Sequence, residues 1–268
     1  MLHVATAHFE SPRWIPIQAR ELRRHLDVPF QTWTSLEGID PSYSRYFDNV
    51  IAQRGPHADK LNHLALEIAF QADDDDLLMF LDGDAFPIAR IGPLIEKGLR
   101  DAPLMAVMRG ENGNDHQPHP CFCVTSVAEW KALGGDWTKG YMWSGLNGKP
   151  TTDVGGNLLR RLELTGTPWT PLLRSNRNDL HPVFFAVYAD AVYHHGAGFR
   201  WPVERIDWVG IRQMPTVDRP ILGPILRRVE RWRYRIHYRR LAQRNRKLSE
   251  EMFRRIERDD RDWLEMLI

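Results

Sequence analysis

The sequence is poor in cysteine and lacks any long apolar run. Its 268 residues include only Cys121 and Cys123, one residue apart. Two thiols at this spacing cannot supply the four ligands of a structural zinc site, and residues this close rarely form an unstrained disulfide. Free thiols suit a reducing compartment, and no segment approaches the ~20 apolar residues that cross a bilayer. Because residues 1–7 are also too short a run for a signal peptide, we expect a cytoplasmic protein.

A strong net charge is also missing, because 36 basic and 35 acidic residues leave a balance of +1. That balance conceals a basic segment, since residues 223–247 contain ten Arg or Lys and a single acid, Glu230. One interpretation is a solvated helix face or a homo-oligomer contact. Another is peripheral contact of residues 223–258 with an anionic inner-membrane surface, at ~1 kcal/mol per basic residue. No recognised nucleic-acid-binding module accompanies the segment, so we expect no nucleic-acid partner.

Strand-like and helix-like segments alternate over residues 1–200, which predicts an α/β fold, a three-layer sandwich around a mainly parallel sheet. Short apolar runs predict strands at residues 3–7, 28–34, 77–81, 104–108, 121–125 and within 183–193. Apolar residues at helical spacing predict helices at residues 12–26, 58–72, 91–100, 126–133, 153–164 and within 227–258. The composition changes near residue 220, so we predict a catalytic domain at 1–220 and basic C-terminal helices at 221–268.

Two acids follow the most apolar predicted strand. Residues 77–81 are all apolar and lead directly into Asp82, Gly83 and Asp84. Ligands of open α/β sheets bind beyond the carboxyl ends of the strands. Two carboxylates this close repel each other unless a cation neutralises them, and their oxygens suit Mg²⁺ or Mn²⁺. We therefore predict a metal site at Asp82 and Asp84; a surface turn with two solvated acids is the alternative.

A second cluster of polar residues ends the last predicted strand region. It contains His194 and His195, then a Gly-rich turn, then Arg200. A neutral imidazole can complete a metal sphere begun by carboxylates, and an arginine can pair with phosphate. Successive strand residues point to opposite faces, so one of the two histidines should face the site. We favour His195, which begins the turn; a histidine packed in the core is the alternative.

Together, these features resemble a glycosyltransferase of the GT-A fold, and within that fold the bacterial enzymes of the family 2 group. The resemblance covers the layout of residues 1–200 and rests most on the Asp-x-Asp block. It implies a Rossmann-like sheet and transfer of a sugar from a nucleotide sugar, with UDP as the default. It also implies a saccharide or lipid-linked acceptor, as in polysaccharide biosynthesis, and Mn²⁺ or Mg²⁺ as the cofactor.

The resemblance also assigns residues to the nucleotide. In such enzymes the first strand and its loop hold the nucleoside, and a polar position on the helix before the motif contacts the nucleotide. The matching positions here are Thr6, Ala7, His8, Phe9, Asp59, Lys60 and Asn62.

For the metal and the phosphates, the resemblance implies a division of roles. Asp82, next to Gly83, would contact the ribose or a metal-bound water, and Asp84 would bind the metal. His195 or His194 would complete the metal sphere, and Arg200 would lie near the diphosphate.

Asp153 matches the position of the general base in inverting members. There it would take the proton from the acceptor hydroxyl group. Thr152 replaces the first acid of the Glu-Asp pair that is familiar in the family. The alternative is that Asp153 caps the predicted helix 153–164, a role worth ~1 kcal/mol. Asp136 and Trp137 are further candidates for contacts with the acceptor or the donor sugar.

Three other functions compete with glycosyl transfer. A phosphohydrolase of the haloacid-dehalogenase type also places Asp-x-Asp after an apolar strand. Its motif lies near the N-terminus, however, and Phe86 stands where that class has Thr or Val. A nucleotidyltransferase would need an N-terminal Gly-rich phosphate loop, which this sequence lacks. A non-catalytic nucleotide- or sugar-binding protein with a membrane-associating helix is the third, and the intact acids argue against it.

Overall fold

The computed structural model describes residues 1–145, 148–198 and 223–268. The strands are β1 (Leu2–Phe9), β2 (Phe30–Glu37), β3 (Asn49–Val50), β4 (Leu77–Asp82), β5 (Ala85–Pro87), β6 (Leu104–Met108), β7 (Pro118–Ser126), β8 (Trp143–Ser144), β9 (Pro150–Thr151), β10 (Thr170–Leu172), β11 (Ala186–Tyr188) and β12 (Val192–His194). The helices are α1 (Ile15–His25), α2 (His57–Gln71), α3 (Gly92–Gly98), α4 (Val127–Leu133), α5 (Gly156–Thr165), α6 (Gly223–Glu257) and α7 (Asp262–Glu265), with a 3₁₀ helix at Pro41–Tyr46.

The central sheet has seven strands in the order β10-β6-β7-β4-β1-β2-β3. β7 runs antiparallel to β4 and β6, and the other neighbouring strands pair in parallel. Helices flank both faces of the sheet. The predicted α/β fold with a mainly parallel sheet is therefore confirmed, with one antiparallel strand, β7, inside it.

Strand β4 shows how the sequence builds the three layers. Met79 and Leu81 pack in the cluster that includes α1 and α3, whereas Leu78 and Phe80 pack in the cluster with α2, α4 and α5. All four side chains are fully buried. Burial of an aliphatic or aromatic side chain contributes ~1.5–3 kcal/mol, which explains why both faces of this strand are apolar.

A second, smaller sheet brings the late histidines to β4. Its antiparallel order is β11-β12-β5, and its register places His194 opposite Ala85. The apolar region predicted within 183–193 is therefore two short strands joined by a tight turn. Because β5 begins immediately after the Asp-x-Asp block, this pairing carries His194 to the two acids.

Helix α6 is one continuous helix with two different environments. Towards its end, Met252, Phe253 and Ile256 are buried in a third cluster with Trp14 and the small sheet. Around residues 232–240 most of the described side chains are exposed. Among the described residues, no helix combines the length and apolarity needed to span a membrane. The predicted domain boundary at 220 lies outside the described residues and stays a prediction.

Candidate functional site

A cavity of about 430 Å³ opens at the carboxyl ends of the parallel strands. The end of β1, the start of α2, the Asp-x-Asp block and the turn after β12 form its walls. In the register of β1 and β4, Ala7 lies beside Asp82, so the residues that follow each strand meet at one edge. The cavity thus occupies the place where the topology of an α/β sheet collects functional side chains.

Three side chains at the floor of this cavity could hold a cation. The Nε2 atom of His194 lies 3.5 Å from Oδ2 of Asp82 and 3.5 Å from Oδ1 of Asp84. The three ligand atoms lie within 4.8 Å of one another. Two carboxylate oxygens and one imidazole nitrogen suit a hard divalent ion such as Mg²⁺ or Mn²⁺. The side chains present therefore fit the predicted metal.

The electrostatics of the site keep both acids ionised. Burial opposes ionisation of Asp82, but its hydrogen bond with His57 and the nearby His119 and His194 hold its pKa below the usual range. Burial likewise opposes ionisation of Asp84, and contact with His194 holds the pKa of that carboxyl below its usual value. Both carboxylates are therefore available to a cation at neutral pH.

The second oxygen of each acid is held by a neighbour. Nε2 of His57 lies 2.8 Å from Oδ1 of Asp82, and the backbone N–H of Gly198 donates to Oδ2 of Asp84 at 2.9 Å. A Cβ atom at residue 198 would lie 2.7 Å from Cβ of Asp84, so the close approach requires glycine. Sequence reasoning missed His57, whose only local signal is its position at the start of a helix, after Pro56.

The structure places His194 beside the two acids, and not His195, which the sequence favoured. Its ring is buried, with Nδ1 2.9 Å from the hydroxyl of Tyr193 and Nε2 2.8 Å from Oγ of Ser249. It also packs on Trp14 at 4.5 Å between ring centroids. Burial lowers the pKa of His195 to about 3. Strand alternation did allow only one histidine at the site, and that histidine is His194.

The structure separates the residues assigned to the nucleotide into two groups. Ala7, His8, Phe9 and Lys60 line the cavity, as does Gly83. Nζ of Lys60 lies 4.9 Å from the centroid of the Phe9 ring, which is 42% exposed. The contacts with a nucleotide that we expect at these positions stay predictions.

Three assigned residues are not part of the cavity lining, and their roles towards a nucleotide stay predictions. Thr6 is fully buried in β1, and Asp59 is exposed on α2 outside the cavity lining. Asn62 bonds to Asp136 and to the backbone N–H of Trp137, so it fixes a loop. Arg200 lies outside the described residues.

Asp136 and Trp137, the further candidates for contacts with the acceptor or the donor sugar, also lie outside the cavity lining. The Asp136 carboxylate accepts hydrogen bonds from Asn62, Thr138 and Asn157. Trp137 is fully buried, and its ring packs against Phe80 and Trp130. Both residues hold the segment after α4 in place and are not part of the cavity lining.

Asp153 lines the cavity together with His119, whose strand β7 lies on the other side of β4 from β1, the strand of Phe9. It does not cap α5, because that helix begins at Gly156 and its N-cap is Gly155. Its Oδ1 accepts the N–H of Val154 at 2.9 Å and lies 3.2 Å from Nζ of Lys139. Burial raises the pKa of Asp153, but the combined effect of His119 and Lys139 is larger and holds the pKa below its usual value. The carboxyl is therefore ionised at neutral pH.

Comparison of the sequence with known protein families and with characterised proteins finds no match. Comparison of the fold finds GT-A-type glycosyltransferases among solved structures. The galactosyltransferase LgtC, solved with donor and acceptor sugar analogues, shares 13% identity over 48% of this chain and 59% of its own, with a TM-score of 0.34. The mannosyltransferase PcManGT from Pyrobaculum calidifontis, solved with GDP-Man and Mn²⁺, shares 14% identity over 51% and 47%, with a TM-score of 0.40.

A third such structure is the apo form of the glycosyltransferase GlyE from Streptococcus pneumoniae TIGR4. It shares 13% identity over 63% of this chain and 44% of its own, with a TM-score of 0.40. This chain thus spans about half the length of the proteins that it resembles. The similarity covers part of the fold. The structures found are of the GT-A type, which is the fold that the sequence predicted.

Proposed function

We propose that this chain transfers a hexosyl group from a nucleoside-diphosphate sugar, with UDP as the default nucleotide, to a hydroxyl of a saccharide or lipid-linked acceptor. The observation that carries the proposal is the convergence of Asp82, Asp84 and His194 in one cavity with a separate ionised acid, Asp153. A divalent cation held by the first three would neutralise the diphosphate as it leaves. This arrangement separates the group that stabilises the leaving diphosphate from the group that accepts a proton.

The walls of the cavity support binding of a nucleotide on one side. Phe9 presents an exposed ring that a nucleobase can pack against, and Lys60 lies behind it, paired with Glu37 at 2.5 Å. Lys60 is buried, so its pairing with Glu37 satisfies a charge that would otherwise be costly. We propose that the nucleoside lies between Phe9 and the start of α2, with its phosphates towards Asp84.

The opposite wall supports activation of an acceptor. An acceptor hydroxyl near Asp153 would form a bond to the anomeric carbon while the bond from that carbon to the diphosphate breaks. The hydroxyl proton would pass to the Asp153 carboxylate, which is ionised and therefore able to accept it. Lys139 is exposed, and its ion pair with Asp153 can open when an acceptor enters.

We also propose that residues 232–247 of α6 contact anionic lipid on the cytoplasmic side of a membrane. This stretch contains seven Arg or Lys and no acid, and all seven side chains are exposed. Trp232, 63% exposed, lies in the same stretch. Basic residues together with an interfacial tryptophan favour an anionic membrane surface, which would suit a lipid-linked acceptor.

The direct test is a panel of nucleotides with Mn²⁺, read by melting temperature. We expect UDP or GDP to stabilise the protein only when Mn²⁺ is present, by ~2.7 kcal/mol at a concentration 100 times the Kd. Chelation of the metal should abolish the shift. Absence of any nucleotide-dependent shift, together with hydrolysis of a generic phosphate ester, would instead support a phosphohydrolase.

A further inference from the structure

Each acid of the proposed metal site has one oxygen that is already held by a neighbour. Oδ1 of Asp82 is bound to His57, and Oδ2 of Asp84 is bound to Gly198. The other two oxygens, Oδ2 of Asp82 and Oδ1 of Asp84, are the ones that lie 3.5 Å from Nε2 of His194. The neighbours therefore decide which oxygen each acid offers to a cation.

The two acids are held by different kinds of group. Asp84 is held by a backbone N–H, in a turn where a side chain at residue 198 would collide with Asp84. Asp82 is held by a side chain, the imidazole of His57, which is 38% exposed and lines the cavity. The position of Asp82 is therefore the one that a single side-chain substitution can release.

The backbone of His57 is well placed to hold Asp82. His57 is the first residue of α2, and it follows Pro56, whose ring restricts the chain just before the helix. Leu61 and Leu64 anchor the same helix in the core with no exposed surface. The imidazole is thus carried by a fixed helix end while its ring stays within reach of the cavity.

Other groups near Asp82 do not replace His57. Nδ1 of His119 lies 4.0 Å from Oδ2 of Asp82, and it already accepts the backbone N–H of Cys121 at 3.1 Å. Lys60 is paired with Glu37. Within the described parts of the chain, His57 is the side chain that hydrogen-bonds the Asp82 carboxylate.

We infer that His57 is a positioning residue for the metal site: its Nε2–H donates to Oδ1 of Asp82 and keeps Oδ2 directed at His194. The inference rests on the proposed function, because it assigns His57 a role towards that function's metal. Without this hydrogen bond, Asp82 can adopt other rotamers, and its repulsion from Asp84 favours those that separate the two carboxylates. Partners that orient ligands in this way contribute ~10–100-fold in metal affinity.

The test measures Mn²⁺ affinity without any substrate. His57→Leu removes the donor and keeps a side chain of moderate size, whereas His57→Gln places an amide N–H within reach of Asp82. His63→Leu is the matched control, because His63 lies on the same helix with 35% of its side chain exposed and contacts Glu67. Electron paramagnetic resonance of free Mn²⁺ gives the affinity, and melting curves confirm that each variant is folded.

We expect His57→Leu to weaken Mn²⁺ binding by ~10-fold or more, His57→Gln to recover most of it, and His63→Leu to bind as the wild type does. Wild-type affinity in His57→Leu, or no recovery in His57→Gln, overturns the inference and leaves the proposed function intact. If the wild type binds no Mn²⁺, alone or with UDP or GDP, the proposed function and the inference fall together.

Discussion

Asp84 provides the sharpest test at the scale of single residues. Asp84→Asn keeps the shape of the side chain and its acceptor for Gly198, but it replaces a charged ligand with a neutral amide. We expect the variant to fold and to lose the Mn²⁺-dependent stabilisation by nucleotide, measured as a shift in melting temperature. That stabilisation is ~2.7 kcal/mol in the wild type at 100 times the Kd.

The control for this substitution is Asp59→Asn, the same change at an exposed position of α2 outside the cavity. It should respond to Mn²⁺ and nucleotide as the wild type does. A wild-type shift in melting temperature in Asp84→Asn would mean that the cation binds elsewhere. Loss of the shift in Asp59→Asn would mean that Asp59 contributes to nucleotide binding.

The sequence predicts the acids of the site better than their partners. Asp82 and Asp84 follow an apolar run, so their place at the end of a central strand can be inferred locally. The choice between His194 and His195 cannot, because it depends on the register in which β12 pairs with β5. His57 belongs to no motif, and only the packing of α2 brings it to Asp82.

At the scale of elements, α6 shows how a segment that is polar overall docks through a few apolar residues. Phe253 is buried, with its ring edge-on to Trp14 at 4.8 Å and the Arg13 guanidinium 3.5 Å above it. Glu250 completes this contact by binding Arg13 through both carboxylate oxygens. The apolar contact, and not the basic face, therefore holds the helix end to the small sheet.

We expect Phe253→Ala to lower the free energy of unfolding by ~3–5 kcal/mol, the range for loss of a buried aromatic side chain. Phe70→Ala is the matched control, because Phe70 is 88% exposed on α2 and such surface changes stay within ~0.5 kcal/mol. Urea unfolding monitored by tryptophan fluorescence measures both. Equal effects in the two variants would show that α6 is not docked as described.

The bounds of helices and strands were predicted well where the apolar pattern is strong, and less well where contacts with other parts of the chain decide where an element begins. β4 and α2 lie within a residue of the predicted ranges, because continuous burial and helical spacing are visible in the sequence. The helix predicted at 153–164 begins instead at Gly156, so Asp153 precedes the helix and lines the cavity. Hydrophobic periodicity alone cannot distinguish an acid that caps a helix from one that precedes it.

At the scale of the whole molecule, the charge is divided between residues 223–247, with ten basic residues and one acid, and the rest of the chain, with 26 basic residues and 34 acids. We expect the protein to sediment with vesicles that contain anionic phosphatidylglycerol, and less so as salt rises. Arg239→Glu with Arg240→Glu should lower the partition constant by at least about tenfold, since each basic residue contributes ~1 kcal/mol at such a surface.

The matched control reverses an adjacent exposed pair on α5, Arg160→Glu with Arg161→Glu, with the same change in net charge. It should sediment nearly as the wild type does. Equal losses in both double variants would indicate a response to net charge alone. If the protein bound an immobilised polynucleotide but not the vesicles, the partner of α6 would be a nucleic acid and not a lipid surface.

The small sheet has a consequence for how the protein is made. The two acids leave the ribosome long before His194. Strand β12, which carries His194, must pair with β5, from which it is separated by residues 88–191. A nascent chain that has formed only β1 to β7 therefore has the two carboxylates but not the imidazole of His194. Loading with metal should therefore follow the completion of folding, so that a cation would bind the finished fold and would not direct its assembly.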